Sequence, residues 1–432
     1  MDLDRDGEPR PVEFVGTSRL SVPMPFTTLV PPPEPAERRR SWPWLVLAGF
    51  LAAGLVAALY LTIGTAAPKP AAVASAPATK SWAQEKAEFI NEALAAQGRA
   101  LLAGDLAGYL VTADPSLHDE FTQRFHSLRA LGVAAWTAKV SRMPREAHDR
   151  QEVTVTIGYC LGTADCKPVE LVLPSRWTVR DGRAVATSFQ RTVLPWDLTP
   201  LQAVVGSRVI VAAPVSMAAG EVHRTVAAAE QAAAVADRFA RWGPAPKRYV
   251  VYVAGPQEWR TWWNGEDPDF DGSAHGSYGV AIRAGGNPDG LPRLLTHEFT
   301  HVVSVGDEFG GGTYWWLTEG LAEYASDHDG SMTRARLPSV RRYVRAGRWD
   351  GSITLGRMPA DASGDDQPAR YGIALLAVSC LVQRFGEDRT LDFFAAVVRE
   401  WSDPETAAPK VFGTEWAPVA AGCATKVRDR AR

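Results

Sequence analysis

The sequence from Trp42 to Thr65 contains no charged residue, and this apolar run constrains the fold more than any other feature. At about 1.5 Å per residue, a helix of this length reaches roughly 35 Å and spans a bilayer core of about 30 Å. Trp44 and Tyr60 lie near its ends, where aromatic side chains favour the membrane interface. The run also exceeds the apolar part of a signal peptide, about 7–15 residues. We therefore predict one transmembrane helix over residues 41–65, with a cleaved signal peptide as the alternative.

The basic residues that flank this run predict its orientation. Arg38–Arg40 precede the run, whereas the first basic residue after it is Lys69. Because basic residues favour the cytoplasmic side, the proline-rich residues 1–40 are expected to form a disordered cytoplasmic tail. Residues 66–81 are rich in Ala and Pro and are expected to form an extended linker. The predicted protein is a single-pass protein of the cell membrane with its folded part outside the cytoplasm.

Composition excludes some classes of protein for the folded part. The chain has 432 residues and 46% hydrophobic residues, which suits two or three globular domains. With 46 Lys and Arg against 49 Asp and Glu, it lacks the basic surface that nucleic-acid binding requires. We therefore expect no nucleic-acid partner.

Four cysteines lie in the part predicted to be extracytoplasmic, where disulfides are stable. Cys160 and Cys166 are close in sequence, and Cys380 and Cys423 remain. Proximity favours the pairs 160–166 and 380–423. Three pairings are possible for four cysteines, and four buried free thiols are the other alternative.

Two folded regions follow the linker, and together they predict an α+β protein. Residues 82–195 show helical periodicity and then strands that alternate apolar and polar residues, which indicates helices packed on an antiparallel sheet. This order resembles the nuclear-transport-factor-2-like fold. Residues 200–432 form the second region. Within it, residues 275–282 (HGSYGVAI) are expected to form a strand near a sheet edge.

The segment LPRLLTHEFTHVV carries the main functional motif, His-Glu-x-x-His. His297 and His301 are four residues apart, so both imidazoles lie on one face of a helix and can bind one ion. Zinc favours such nitrogen ligands, and a catalytic zinc site keeps one position for water. Glu298 is placed to take a proton from that water as general base.

A third protein ligand is expected, and two residues are candidates. Glu319 lies in TYWWLTEGLAEYAS, which is predicted to form the next helix. Glu323 follows four residues later on the same face and could accept the outer N–H of a ligating histidine. Asp307, six residues after His301, has the spacing of a different class of zinc protease. We favour Glu319 and keep Asp307 as the alternative.

The two segments HEFTH and WLTEGLAEY resemble the gluzincin zinc metallopeptidases, in particular the peptidase MA-like group. The resemblance covers roughly residues 200–400 and implies a thermolysin-type metallopeptidase domain over 200–432. It implies that His297, His301 and Glu319 bind one zinc per chain and that Glu298 is the catalytic base.

Tyrosines downstream of the zinc motifs are candidates for the group that stabilises the oxyanion. In related enzymes a tyrosine there donates a hydrogen bond, and Tyr371 is our candidate, with Tyr324 and Tyr314 as lesser ones. The expected function is hydrolysis of peptide bonds in a peptide or protein substrate by a zinc-activated water. The alternative is an inactive, zinc-stabilised module that binds extracytoplasmic partners.

Overall fold

The first folded region packs four α-helices on an antiparallel sheet. In this computed structural model the helices are α1 (Trp82–Ala103), α2 (Leu106–Leu110), α3 (His118–Ala130) and α4 (Pro195–Leu198). The strands, β1 (Val133–Arg142), β2 (Arg150–Leu161), β3 (Val169–Arg180) and β4 (Arg183–Phe189), pair with their neighbours in chain order. Val153, Val155 and Ile157 of β2 are buried against the helices. This is the alternation expected of a sheet with one buried face.

Local sequence signals explain where α1 begins and ends. Ser81 accepts a hydrogen bond from the backbone of Gln84, and the Gln84 side chain accepts one from the backbone of Ser81. This reciprocal cap satisfies two backbone groups at the start of the helix. Gly104 ends α1 in the left-handed conformation, which glycine adopts at little cost.

The second region is built on a five-stranded mixed sheet. Its strands are β5 (Leu201–Val205), β6 (Val209–Pro214), β7 (Tyr249–Ala254), β8 (Gly272–Ala274) and β9 (Val280–Arg283). The order is β5-β6-β7-β9-β8, in which β6, β7 and β9 are parallel and β5 and β8 are antiparallel to their neighbours. Helix α5 (Ala219–Ala236) connects β6 to β7, and α6 (Pro256–Thr261) follows β7.

The strand expected over residues 275–282 differs from the one observed. Residues 276–278 form a turn of 3₁₀ helix, and only β9 from Val280 onward is a strand. Because β9 pairs with β7 on one side and β8 on the other, it is internal. The outer strand is the short β8, which the sequence analysis missed because it has only three residues.

The elements described after β9 are mainly helices. They are α7 (Leu291–Ser304), α8 (Trp315–Ser326), α9 (Ser331–Arg345), α10 (Asp366–Phe385), α11 (Glu387–Phe394), α12 (Pro404–Phe412) and α13 (Trp416–Ala431). A disulfide joins Cys380 of α10 to Cys423 of α13, and a second joins Cys160 to Cys166. Both are the pairs that proximity in the sequence favours.

The five-stranded sheet is covered on both faces. On one face, Val211 and Val251 pack against α5 and α7. On the other face, Ala212 and Tyr252 belong to the same apolar core as Trp177 of the first region. One continuous core therefore connects the two regions across residues 195–200.

Some predictions concern residues outside the described part of the chain. The structure describes residues 81–142, 150–266, 270–306, 314–359, 362, 364 and 366–432. The predicted tail, the transmembrane helix over 41–65 and nearly all of the linker therefore lie outside it. Among the described helices, none has the length and apolar character needed to cross a bilayer.

Candidate metal centre

Helix α7 presents the two histidines of the motif from a partly buried face. Phe299 packs against the sheet, where its ring stacks on that of Tyr249 with centroids 4.2 Å apart. This packing fixes the rotation of the helix. His297 and His301 then lie one turn apart on another face, with their Nε2 atoms 3.1 Å from each other.

Helix α8 brings a carboxylate to the same point. Oε2 of Glu319 lies 3.1 Å from Nε2 of His297 and 3.3 Å from Nε2 of His301. All three side chains are largely buried, and they form a group that could hold a metal ion. Ligands about 2.0–2.2 Å from a tetrahedral zinc are roughly 3.3 Å from one another. The observed separations match that value, so these three residues fit zinc.

The electrostatics of this group favour an ionised Glu319. Burial alone would raise the pKa of this carboxyl, but the nearby His301 and the contact with His297 outweigh it and hold the pKa well below its usual range. An ionised carboxylate is the form that ligates a metal.

Glu323 lies one turn after Glu319 and contacts the other side of His297. Its Oε1 is 3.5 Å from Nδ1 of His297. Arg336 of α9 donates two hydrogen bonds to this carboxylate, Nη2 to Oε1 at 2.8 Å and Nε to Oε2 at 3.1 Å. This pairing fixes the Glu323 carboxylate beside the imidazole. The sequence analysis found Glu323 but missed Arg336, because no local pattern links a residue on the next helix to the motif.

Gly320 explains how α8 and α10 approach each other beside the site. A Cβ at this position would lie 2.6 Å from the carbonyl oxygen of Ala374 and 2.7 Å from Cγ2 of Val378. Only glycine allows this backbone contact. The Glu-Gly pair of the motif therefore places a candidate ligand and sets the distance to α10 at the same time.

Tyr371 of α10 lies beside the same group. Its ring centroid is 6.0 Å from that of His297, and the Arg336 guanidinium lies 5.3 Å above the ring. Burial, and then the charges of Glu319 and Glu298, raise the pKa of Tyr371 well above its usual value. The phenol therefore stays protonated and can donate a hydrogen bond.

The two lesser tyrosine candidates are placed differently. The hydroxyl of Tyr324 donates to Oε2 of Glu387 at 3.1 Å, and its ring packs on Phe239. Tyr314 precedes the first residue of α8 and packs in the helical core. The structure thus brings Tyr371, and neither of these, next to the histidines. Asp307, the alternative ligand, lies outside the described residues.

Glu298 is buried between α7 and the outer strand of the sheet. A Cβ on Gly272 of β8 would lie 2.6 Å from Oε1 of Glu298, so the strand runs directly against this carboxylate. Burial raises the pKa of Glu298 to about 8; His301 opposes the shift, while the charges of Glu319 and Glu266 add to it. The carboxyl can therefore hold a proton near neutral pH, as a general base must after it has accepted one.

The comparisons with known proteins give distant structural similarity alone. Neither a protein-family model nor a curated protein matches the chain. Among solved structures, the chain is similar to a mutant of a two-domain M1 zinc metallopeptidase bound to L-arginine, with 16% identity and a TM-score of 0.31. That alignment covers 59% of this chain and 58% of the other.

Two further structures give similar values. The M1 zinc metallopeptidase from Deinococcus radiodurans is 17% identical, with a TM-score of 0.31, over 59% of this chain and 58% of that one. A mutant of the enzyme from the same organism is 15% identical, with a TM-score of 0.31, over 69% and 84%. The chain therefore spans less than two thirds of the first and second of these three structures.

Proposed function

We propose that this protein is a zinc-dependent metallopeptidase that binds one zinc per chain through His297, His301 and Glu319. The observation that carries the proposal is the convergence of two Nε2 atoms and one carboxylate oxygen, each 3.1–3.3 Å from the others. In a closed network of hydrogen bonds, donors and acceptors alternate. Here two imidazole nitrogens point at one carboxylate oxygen and at each other, which is the arrangement that a shared cation requires.

The neighbouring residues suit hydrolysis of a peptide bond. Zinc held by these three residues would supply Lewis acidity and lower the pKa of a water to about 7. Glu298 takes the proton of the water that attacks the scissile carbonyl carbon. The C–N bond then breaks, and Glu298 returns the proton to the leaving nitrogen. The protonated phenol of Tyr371 donates a hydrogen bond to the oxygen that becomes negative during attack.

The outer strand offers a way to bind the substrate backbone. The carbonyl of Asp271 and the amide of His275 both bond toward β9. Because this direction alternates along a strand, the backbone groups of Gly272 and Ala274 point to the opposite side, where no described strand pairs with them. An extended peptide could add there as a further strand. We assign this role to β8, because residues 275–282, the strand expected from the sequence near the sheet edge, do not form the outer strand.

The full-length chain, loaded with zinc and given a peptide library, tests the proposal. We expect wild type to contain one zinc and to cut peptides, and Glu319→Ala to lose the metal. Glu298→Gln should keep zinc and the fold while turnover falls about 10²–10⁴-fold, because the base is gone. Tyr371→Phe should keep zinc and lose about 10²–10³-fold. Equal turnover of Glu298→Gln and wild type would contradict this mechanism, and zinc binding without cleavage would favour the inactive binding module.

We further propose that residues 41–65 anchor the protein in the cell membrane with the folded part outside. The charge-free run and the preceding Arg38–Arg40 support this location. Protease added to intact cells should remove the folded part and leave a tail of about forty residues protected. A soluble secreted form that begins shortly after the apolar run would show a signal peptide instead.

A further inference from the structure

Three consecutive residues after α6 adopt left-handed backbone conformations. The φ angles are +49° at Trp263, +69° at Asn264 and +98° at Gly265. Left-handed conformations at residues other than glycine are unfavourable, and they persist only where surrounding contacts impose them. A Cβ on Gly265 would lie 3.0 Å from the Arg260 carbonyl oxygen. Contacts around the turn therefore impose this conformation.

The turn delivers two side chains to His275. The ring of Trp263 stacks on the imidazole with a centroid distance of 4.0 Å and an interplanar angle of 1°. Oε1 of Glu266 lies 2.6 Å from Nε2 of the same imidazole, and the Glu266 side chain is only 9% exposed. Ring stacking fixes the plane of the histidine, and the short charge-assisted hydrogen bond fixes its rotation within that plane.

His275 is the residue that directly follows β8. Its amide donates to the carbonyl of Gly279 at 2.8 Å, so both its backbone and its side chain are held. Strand β8 has three residues, and among the described strands it pairs with β9 alone. Such a short strand with a single neighbour is marginally stable by itself. Its position therefore depends on how its end is attached.

The position of β8 matters because Glu298 lies against it. Gly272, at the start of the strand, has the Glu298 carboxylate in direct contact, while Glu266 and Trp263 hold the residue after its end. Side chains alternate between the two faces of a strand. Ala274 packs with the core on the α7 side, whereas Trp263 belongs to the core on the other side of the sheet. Glu298 and the contacts of His275 with Trp263 and Glu266 thus lie on opposite faces of β8.

We propose that Glu266 and His275 are positioning residues that clamp β8, so that its open edge lies in register with Glu298 and with the metal ligands. The strained turn at residues 263–265 keeps the clamp closed through the Trp263 stack. This inference rests on the proposed function, because it gives β8 the task of aligning the substrate backbone with the reacting carbonyl. The Glu266 carboxylate acts through His275 and the strand, without touching the scissile bond.

Two zinc-binding probes separate this role from general stability and from chemistry. Acetohydroxamate reaches only the metal, whereas a hydroxamate extended by three alanine residues would also pair with β8. Isothermal titration measures both against the zinc-loaded full-length chain. We expect the alanine extension to strengthen binding in wild type. In Glu266→Ala and His275→Ala this gain should fall about tenfold, since it rests on one or two backbone hydrogen bonds.

Matched variants complete the test. Zinc content and acetohydroxamate affinity should stay at wild-type values in both alanine variants. Glu266→Gln can still hydrogen-bond to the imidazole, so it should recover part of the affinity gained from the alanine extension. His223→Ala, an exposed histidine bonded within α5, should change nothing.

An unchanged gain in the alanine variants would overturn the clamp, and a parallel loss of both probes would show a structural role only. If acetohydroxamate fails to bind zinc-loaded wild type, the proposed function falls and the clamp with it. If it binds but the extension adds nothing in wild type, the clamp alone falls.

Discussion

Buried charges occur in both regions of the protein, and they are arranged in opposite ways. In the first region, Asp197 is fully buried and each of its oxygens has its own donor: Nε of Arg124 at 2.7 Å and the Thr192 amide at 2.5 Å. Arg124 also donates to Glu120 at 3.0 Å. Every group in this network meets a complementary partner.

The candidate metal centre lacks this one-to-one matching. The two histidine nitrogens share the single oxygen Oε2 of Glu319 and also lie 3.1 Å from each other. Both sites are buried and charged, so burial and charge alone do not separate a structural network from a functional one. The distinguishing feature of the metal-binding arrangement is that several electron-pair donors converge on one point.

The largest expected effect on stability comes from removing the carboxylate of Asp197 from its network with Arg124. Asp197→Ala should lower the free energy of unfolding by about 3–5 kcal/mol, because it breaks a buried ion pair and leaves Arg124 with only the partly exposed Glu120 as partner. Chemical denaturation measures it, and the zinc content of the folded fraction should not change. Glu319→Ala should behave in the opposite way. It should lose zinc, while metal-free stability changes much less because the two histidines can be neutral.

A surface pair is the control for Asp197. Glu152 and Arg176 lie 2.7 Å apart with both side chains more than half exposed. Glu152→Ala should cost about 0–1 kcal/mol, as expected of exposed ion pairs. A loss at Asp197 no larger than this would mean that the buried network is not what stabilises the first region.

A smaller effect, on zinc binding, is expected at Glu323, which combines features of both arrangements. This carboxylate is paired with Arg336 and also contacts the candidate ligand His297. Glu323→Ala should weaken zinc binding about 10–100-fold, because the imidazole loses the partner that orients it. Competition with a chelator of known affinity measures this, and Tyr324→Phe, on the same helix and bonded to Glu387, serves as control. Unchanged zinc affinity would mean that Glu323 stabilises the fold and does not orient His297 for metal binding.

The smallest effect is expected at Gly320, where only the distance between helices changes. Gly320→Ala gains about 1 kcal/mol of helix propensity but meets the Ala374 backbone, at a cost of about 1–3 kcal/mol. Gly220 on α5 is the matched helical glycine, since its Cβ would meet only an arginine side chain at 3.6 Å. Thermal denaturation should show Gly220→Ala at or above wild type and Gly320→Ala below it. Equal shifts would mean that α8 can move away from α10 without cost.

Periodicity in the sequence predicts much of the fold. The alternation in residues 153–157 predicts a strand that the structure contains. Residues 218–241 are rich in Ala and predict a helix, which the structure contains over Ala219–Ala236. The sequence gives no sign of the outer strand, since three residues including Gly272 carry too little pattern. Nor does it show that the first region packs on the back of the second sheet, because such contacts are made by residues far apart in sequence.

The same distinction between local patterns and contacts far apart in sequence applies to the candidate site. The spacing within HEFTH and WLTEG is set by the helix, so the sequence indicates which side chains share a face. The structure places His297, His301, Glu319, Glu323 and Tyr371 close together. Contacts from separate elements could not be predicted, since neither Arg336 on α9 nor the approach of β8 to Glu298 leaves a local signal.

The core shared by the two regions limits how this chain can be shortened. A fragment that begins at residue 200 would keep every candidate catalytic residue, yet it would expose the sheet face that carries Ile210, Ala212 and Tyr252 to water. Exposed apolar faces of this kind favour association and precipitation. Expression trials should therefore start ahead of α1, and a homologous chain lacking the first region would need either polar residues on that sheet face or another subunit to cover it.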